Sequence, residues 1–279
     1  MIVAGFLFAL MGVFVKLGSV YFSSAELVFY RSVIGLIVIF ALVRVQKLPL
    51  ATSHVASHVW RGLSGFFALL LFFYAISVLP LATAITLNYT SPLFLALLLT
   101  LVLKEKPHGA LIGAILVGFC GVVLLLRPTL HAAQLEAGLM GLASGFLAGI
   151  AYFNVNQLGK QGEPEWRVVF YFTLVSTIGA GAWMLIHSFR PLTWEQVPLL
   201  LGLGASATLA QLAMTRAYRV GKTLVVGSLA YITVVFASLF GIAIWGEWLE
   251  PTAWLGVGLI VSSGIFSVLW TQRAAAMVK

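Results

Sequence analysis

The sequence predicts an all-α integral membrane protein, with ten transmembrane helices arranged as two inverted five-helix repeats. Composition, the spacing of apolar runs and an internal repeat predict it. Of 279 residues, 61% are hydrophobic and only 9% are charged, against about 25% charged in soluble domains. Mean hydropathy is +1.07. A soluble fold must present part of its surface to water, and this chain has too few polar residues for that.

A membrane helix needs about 20 mostly apolar residues. Ten runs qualify, at roughly 2–20, 25–43, 61–79, 83–103, 108–126, 137–156, 167–187, 198–218, 223–245 and 252–271. No basic leader precedes the first run, so it reads as a span rather than a cleaved signal. The basic residues fall in the gaps between runs, which is a topology signal. With the N-terminus inside, the outer side receives only Lys16, Arg31, Arg127 and Arg190; the other 12 of 16, Arg61 among them, fall inside. Both termini are therefore expected to be cytoplasmic, in a bacterial inner membrane. The net charge of +8 is dispersed rather than gathered into a patch, so the expected partners are the bilayer and a small-molecule substrate, not nucleic acid. A single cysteine, Cys120, allows no intramolecular disulfide.

The halves resemble each other. Gly5–Leu7 recurs as Gly145–Leu147, and LVFYRS (Leu27–Ser32) matches VVFYFT (Val168–Thr173). Ala75, Tyr89, Phe94 and Glu105 match Ala217, Tyr231, Phe236 and Glu247, and Gly113 and Gly121 match Gly256 and Gly264. The offset drifts from 140 to 143 along the chain, as loop insertions would make it. Residues 1–130 and 131–279 are the expected repeats. Each holds five spans, an odd number, so the second enters the membrane upside down. That plan recurs in secondary transporters, with the substrate near the midplane.

The stretches ELVFYRS (Glu26–Ser32) and RGLSGFFALLLFFYAISVLPLATAITLNYTSPLF (Arg61–Phe94), Glu105, and GSLAYITVVFASLFGIAIWGEWL (Gly227–Leu249) carry a resemblance to the drug/metabolite transporter superfamily, in its EamA-type ten-span branch. The resemblance covers essentially the whole chain. It implies a 5+5 inverted repeat around a central cavity but no particular substrate.

LNYTSPLF (Leu87–Phe94) places polar residues and a proline inside an apolar run. Pro92 has no N–H, so the Asn88 carbonyl loses its helical partner. Such a carbonyl in hydrocarbon must be satisfied by protein, water or ligand. The segment reads either as a cavity-facing broken helix, with Asn88, Tyr89, Ser91 and Pro92 at the substrate, or as a kink satisfied by neighbouring helices. Tyr231 and Thr233 align with Tyr89 and Ser91. Asn154 and Gln211 are buried amides that either touch substrate or bond across helices. Tyr74 and Tyr152 add aromatic faces that suit a cation. Lys16 and Arg31, in the outer third of the first two spans, read as a basic vestibule for a carboxylate or as snorkelling charges near Glu26. Arg31 aligns with Phe172, where the repeat breaks symmetry. Gly138, Gly141, Gly145 and Gly149 form a smooth face for close helix approach. Glu105 and Glu247 read as end-caps or interface anchors.

All eight acidic residues are Glu, and none falls at mid-depth. There is no zinc spacing, no P-loop and no nucleophile–base pair, so neither an enzyme, a metal site nor a cofactor is expected. GLGASA (Gly202–Ala207) lacks the strand context of a dinucleotide site. The expected function is secondary transport, carrier or exporter, of small polar or amphipathic metabolites, amino acids foremost. The alternative is uptake of a nucleoside-like or cofactor metabolite such as S-adenosylmethionine.

Overall fold

The computed structural model describes residues 1–102, 109–126, 132–187, 190–221, 226 and 229–277. Among them the chain is helical throughout, without a strand. The helices are α1 (Ile2–Gly18), α2 (Ser24–Val45), α3 (Val55–Val78), α4 (Leu81–Asn88), α5 (Ser91–Val102), α6 (Gly109–Leu126), α7 (Ala132–Lys160), α8 (Glu165–Ile186), α9 (Val197–Val220), α10 (Ile232–Trp245) and α11 (Pro251–Met277). Among the described residues, five segments are long and apolar enough to cross a membrane: Ser24–Val45, Val55–Val78, Gln134–Lys160, Glu165–Ile186 and Trp194–Val220. Large apolar side chains such as Leu185, Ile186 and Val45 are more than three-quarters exposed, which in water would be a liability and in lipid is expected.

Packing runs mostly between the two halves of the chain. α3 lies against α7 and α8, and α9 lies against α1 and α2. α2 packs on α8, α4 on α10, and α6 on α11; α1 contacts α10, while α4 and α5 contact α7. The core where these helices meet includes Met11, Leu27, Phe73, Ile76, Ile85 and Leu87, each nearly or wholly buried.

Caps and turns fix the ends. Ser23 and Glu26 form a capping box at α2, satisfying orphan N–H groups. Glu26 Oε1 also accepts from the backbone N of Arg190, 2.6 Å away, tying α2 to the segment after α8. Glu247 is an end-cap, but of α4: its Oε2 accepts from Leu81 N at 2.9 Å. Its repeat mate Glu105 lies outside the described residues. α10 ends at Gly246, whose φ of 64° is left-handed, the conformation that suits glycine at a helix C-terminus.

The third helix corrects the sequence reading. Its expected start at Arg61 is six residues late, because Val55–Trp60 is already helical. Arg61 is therefore not a surface topology charge. It lies well over a turn inside the helix and is 2% exposed.

Candidate functional site

The predicted break within LNYTSPLF is present. α4 stops at Asn88, Tyr89 and Thr90 form a turn, and α5 starts at Ser91. Pro92 accounts for the stop. The break seats on α7 at its glycine face. A Cβ at Gly145 would meet Thr90 Oγ1, with Leu87 O at 2.7 Å and Asn88 O at 3.0 Å; one at Gly149 would meet Ser91 O at 3.2 Å. Only a bare backbone admits the carbonyls this closely. Side chains complete the joint. Asn88 Nδ2 donates to Ser144 Oγ at 2.9 Å, Ser144 donates to Gly141 O at 2.6 Å, and Thr90 donates to Leu87 O at 2.7 Å. Most polarity in LNYTSPLF is thus consumed within the protein.

In the ninth segment, residues 229–230 are helical, Tyr231 is a turn, and α10 starts at Ile232. The two breaks touch: Thr233 Oγ1 donates to Tyr89 Oη at 3.0 Å.

Beside this contact lies a cavity at the junction of the two halves. α1 contributes Phe8 and Met11; α3 contributes Arg61, Gly65, Leu69 and Phe72. Arg31 comes from α2, Asn88 and Tyr89 from the first break, Tyr152 from α7, Phe172 from α8, Gln211 from α9 and Thr233 from α10.

Two arginines define its chemistry. The Arg31 guanidinium carbon stands 5.3 Å from the Phe172 ring centre, and that of Arg61 stands 4.1 Å from the same ring. Both side chains are almost fully buried, 3% and 2% exposed. Nε and Nη1 of each have no hydrogen-bond acceptor among the described residues, and no described carboxylate lines the cavity. A guanidinium stays protonated under all ordinary conditions, so two cationic forks face one apolar-walled space. Phe172 offers each a ring face, which offsets part of the desolvation.

Several expected site residues belong elsewhere. Lys16 does not line the cavity: it is ion-paired with Glu247, donates to Leu79 O at 3.2 Å and stands 5.2 Å from the Trp245 ring centre. This joins α1, the α3–α4 turn and the end of α10, so Lys16 and Arg31 do not form one vestibule. Nor does Arg31 pair with Glu26, which is engaged at the α2 cap. Ser91 and Pro92 are buried in the break but do not reach the cavity. Tyr231 turns into the core at Gly264, where a Cβ would strike its ring. Asn154 bonds back to Ile150 O at 3.0 Å, and the Tyr74 hydroxyl is 3.5 Å from Glu136, both off the cavity. Of the predicted set, Arg31, Asn88, Tyr89, Tyr152, Gln211 and Thr233 come together there. Tyr152 stacks on Tyr218, and Gln211 Nε2 reaches Thr215 Oγ1 only at 3.5 Å. Arg61 and Phe172 also line the cavity and were not among the predicted residues. The signal for Arg61 was a helix-compatible VASHVW before it and a glycine four residues after it.

The model of the EamA-like transporter family matches the chain twice, at residues 1–127 and 136–269. The chain belongs to the EamA-like transporter family. This family and its transporter-named members make it a multi-pass membrane transporter of the drug/metabolite type rather than an enzyme. It is 32% identical to the pseudopaline exporter CntI of Pseudomonas aeruginosa over 93% of this chain and 91% of that one. An S-adenosylmethionine uptake transporter of Rickettsia bellii is 24% identical over 92% of this chain and 87% of its own. A riboflavin transporter of Brucella anthropi is 25% identical, covering 87% of each chain. A solved crystal structure superposes with a TM-score of 0.67 over 97% of both chains at 19% identity, a likeness of fold. These EamA relatives are named for unlike molecules.

Proposed function

We propose that this EamA-family chain is a secondary transporter of small polar or amphipathic metabolites, amino acids foremost, working by alternating access around the central cavity. The observation that carries the reading is the cavity itself, lined from both halves of the chain, with its polar groups facing inward. Arginine forks match a carboxylate, which every amino acid carries. Export is favoured over uptake by the likeness to the pseudopaline exporter.

The architecture behind this reading is ten spans in two inverted repeats, residues 1–130 and 131–279, in a bacterial inner membrane with both termini cytoplasmic. The double family match supports it. So does the packing: exchanging first-half for second-half helices turns α3 on α7 and α8 into α9 on α1 and α2. Arg31 and Phe172, aligned by the repeat, meet in the cavity. With Arg31 and Arg61 removed from the surface count, the basic excess inside remains eleven to three. In this orientation the Lys16–Glu247 pair closes the outer end.

The second reading, S-adenosylmethionine uptake, is supported by the names of two Rickettsia relatives, each 24% identical. Two buried arginines without a lining carboxylate oppose it, because a sulfonium brings more positive charge into the same space.

Counterflow of radiolabelled amino acids into proteoliposomes tests the proposal. Saturable uptake, cut at least tenfold in Arg61→Gln, is expected. Uptake of S-adenosylmethionine alone would replace the first reading with the second.

A further inference from the structure

We propose that Arg31 and Arg61 read two acidic groups of one substrate, so that the transporter selects small dicarboxylates, amino-dicarboxylates included, over molecules with one carboxylate. The inference rests on the carrier reading above and narrows its substrate class.

Charge comes first. Two buried guanidinium ions share the cavity with no described carboxylate. Each uncompensated buried ion destabilises the empty cavity. One carboxylate on the substrate neutralises half of that charge, and two neutralise all of it. An amino acid with a neutral side chain leaves one arginine without a partner.

Geometry sets the spacing. Both guanidinium carbons stand over the same Phe172 ring, at 5.3 and 4.1 Å from its centre, so they lie no more than about 9.4 Å apart. A bidentate carboxylate places its carbon roughly 4 Å beyond the guanidinium carbon. Carboxyl carbons joined through two or three further carbons lie roughly 4–5 Å apart. A short diacid can therefore bridge the two forks.

The backbone keeps Arg61 at this post. Six residues into α3, a long cationic side chain would ordinarily snorkel toward the membrane surface. Gly65 lies one turn on, and a Cβ there would overlap Arg61 Nη1 and come within 2.8 Å of Phe172 Cε2. The missing side chain makes the slot in which the guanidinium lies against the ring. An α-ammonium group, where present, has Gln211 and Tyr152 among the lining residues, an amide and a ring that both suit a cation.

The test titrates purified full-length protein in detergent, by thermal shift, with matched probes of near-equal size: succinate, its half-amide and its diamide, then L-aspartate and L-asparagine. L-phenylalanine and inorganic phosphate serve as comparisons. The expected result is stabilisation by succinate or L-aspartate at concentrations at least tenfold below those needed for the matched amides. In Arg31→Gln and in Arg61→Gln that ratio falls to about one. Gly65→Ala, which leaves both charges in place, weakens diacid binding about tenfold. Equal stabilisation by diacid and amide, lost in the arginine variants, would overturn the two-carboxylate inference and leave the carrier reading standing. Stabilisation by phosphate but not by diacids would assign the pair to a single bridging oxyanion instead. If neither diacids nor L-phenylalanine stabilise the protein, the inference and the amino-acid reading fall together.

Discussion

The broken fourth segment and the arginine pair are both polar intrusions into an apolar bundle, yet they resolve their polarity in opposite ways. In the break, Asn88 bonds Ser144, Thr90 bonds the Leu87 carbonyl, and bare glycines on α7 admit the Leu87, Asn88 and Ser91 carbonyls, with only the weakly polar Ser91 hydroxyl buried there without a described partner. In the pair, Nε and Nη1 of both arginines have no described acceptor. A polar group already satisfied within the fold has little to offer a ligand, whereas a buried donor without a partner gains a full hydrogen bond when one arrives. On the proposed reading the first is a structural joint and the second a ligand site, although the joint is more conspicuous in the sequence.

The sharpest way to break this comparison is at the arginines. Arg31→Gln and Arg61→Gln should each reduce proteoliposome transport of an anionic substrate by about ten- to a hundredfold, since a charge-assisted bond contributes about 1.5–3 kcal/mol. Near-normal transport in both would return the arginines to a packing role. The joint should respond in the other currency. Gly145→Ala forces a methyl group into Thr90 and the Leu87 carbonyl and should cost about 1–3 kcal/mol of stability, read as a lower melting temperature. Asn88→Leu removes one buried bond, worth about 1 kcal/mol or less in a membrane bundle. Its loss of stability should exceed its loss of transport, and a hundredfold transport loss with unchanged melting would place Asn88 at the substrate.

The smallest effect concerns the rim, outside the spans. Glu163 sits in the α7–α8 turn, 2.9 Å from Arg167 Nη1, and joins it to Thr52 and His54 in the loop before α3. Burial pushes its carboxyl up, but hydrogen bonds from Thr52, Arg167 and His54 outweigh this and hold it at about 2, below its ordinary 4.5. A depressed carboxylate stabilises the fold above its unfolded value and loses that contribution as pH falls through the folded one. Melting temperature should therefore drop by a few degrees between pH 4.5 and 2, and Glu163→Gln should flatten that part of the profile.

The helical membrane character and the break at Tyr89–Thr90 were legible in the sequence, because apolar runs and Pro92 act locally. Arg31 was legible as a charge inside a span. Arg61 was passed over: the polar His54, Ser57 and His58 set it apart from the apolar run that follows, although VASHVW is helix-compatible and α3 runs through it. Which side chains face the cavity was only partly legible. When one face of a helix meets lipid and another meets apolar core, hydrophobic patterning does not set its rotation. Tyr74, Asn154 and Tyr231 were misplaced for that reason, and Lys16 because its partner Glu247 is 231 residues away.

On the proposed reading, the two arginines are held in reserve for a ligand. The most direct test of that reading is the melting temperature of purified Arg31→Gln and Arg61→Gln without added anion, beside wild type. Removing an unpaired buried charge should leave the melting temperature unchanged or raise it. A fall of several degrees in both variants would contradict the account, because it would mean that the protein already satisfies these arginines.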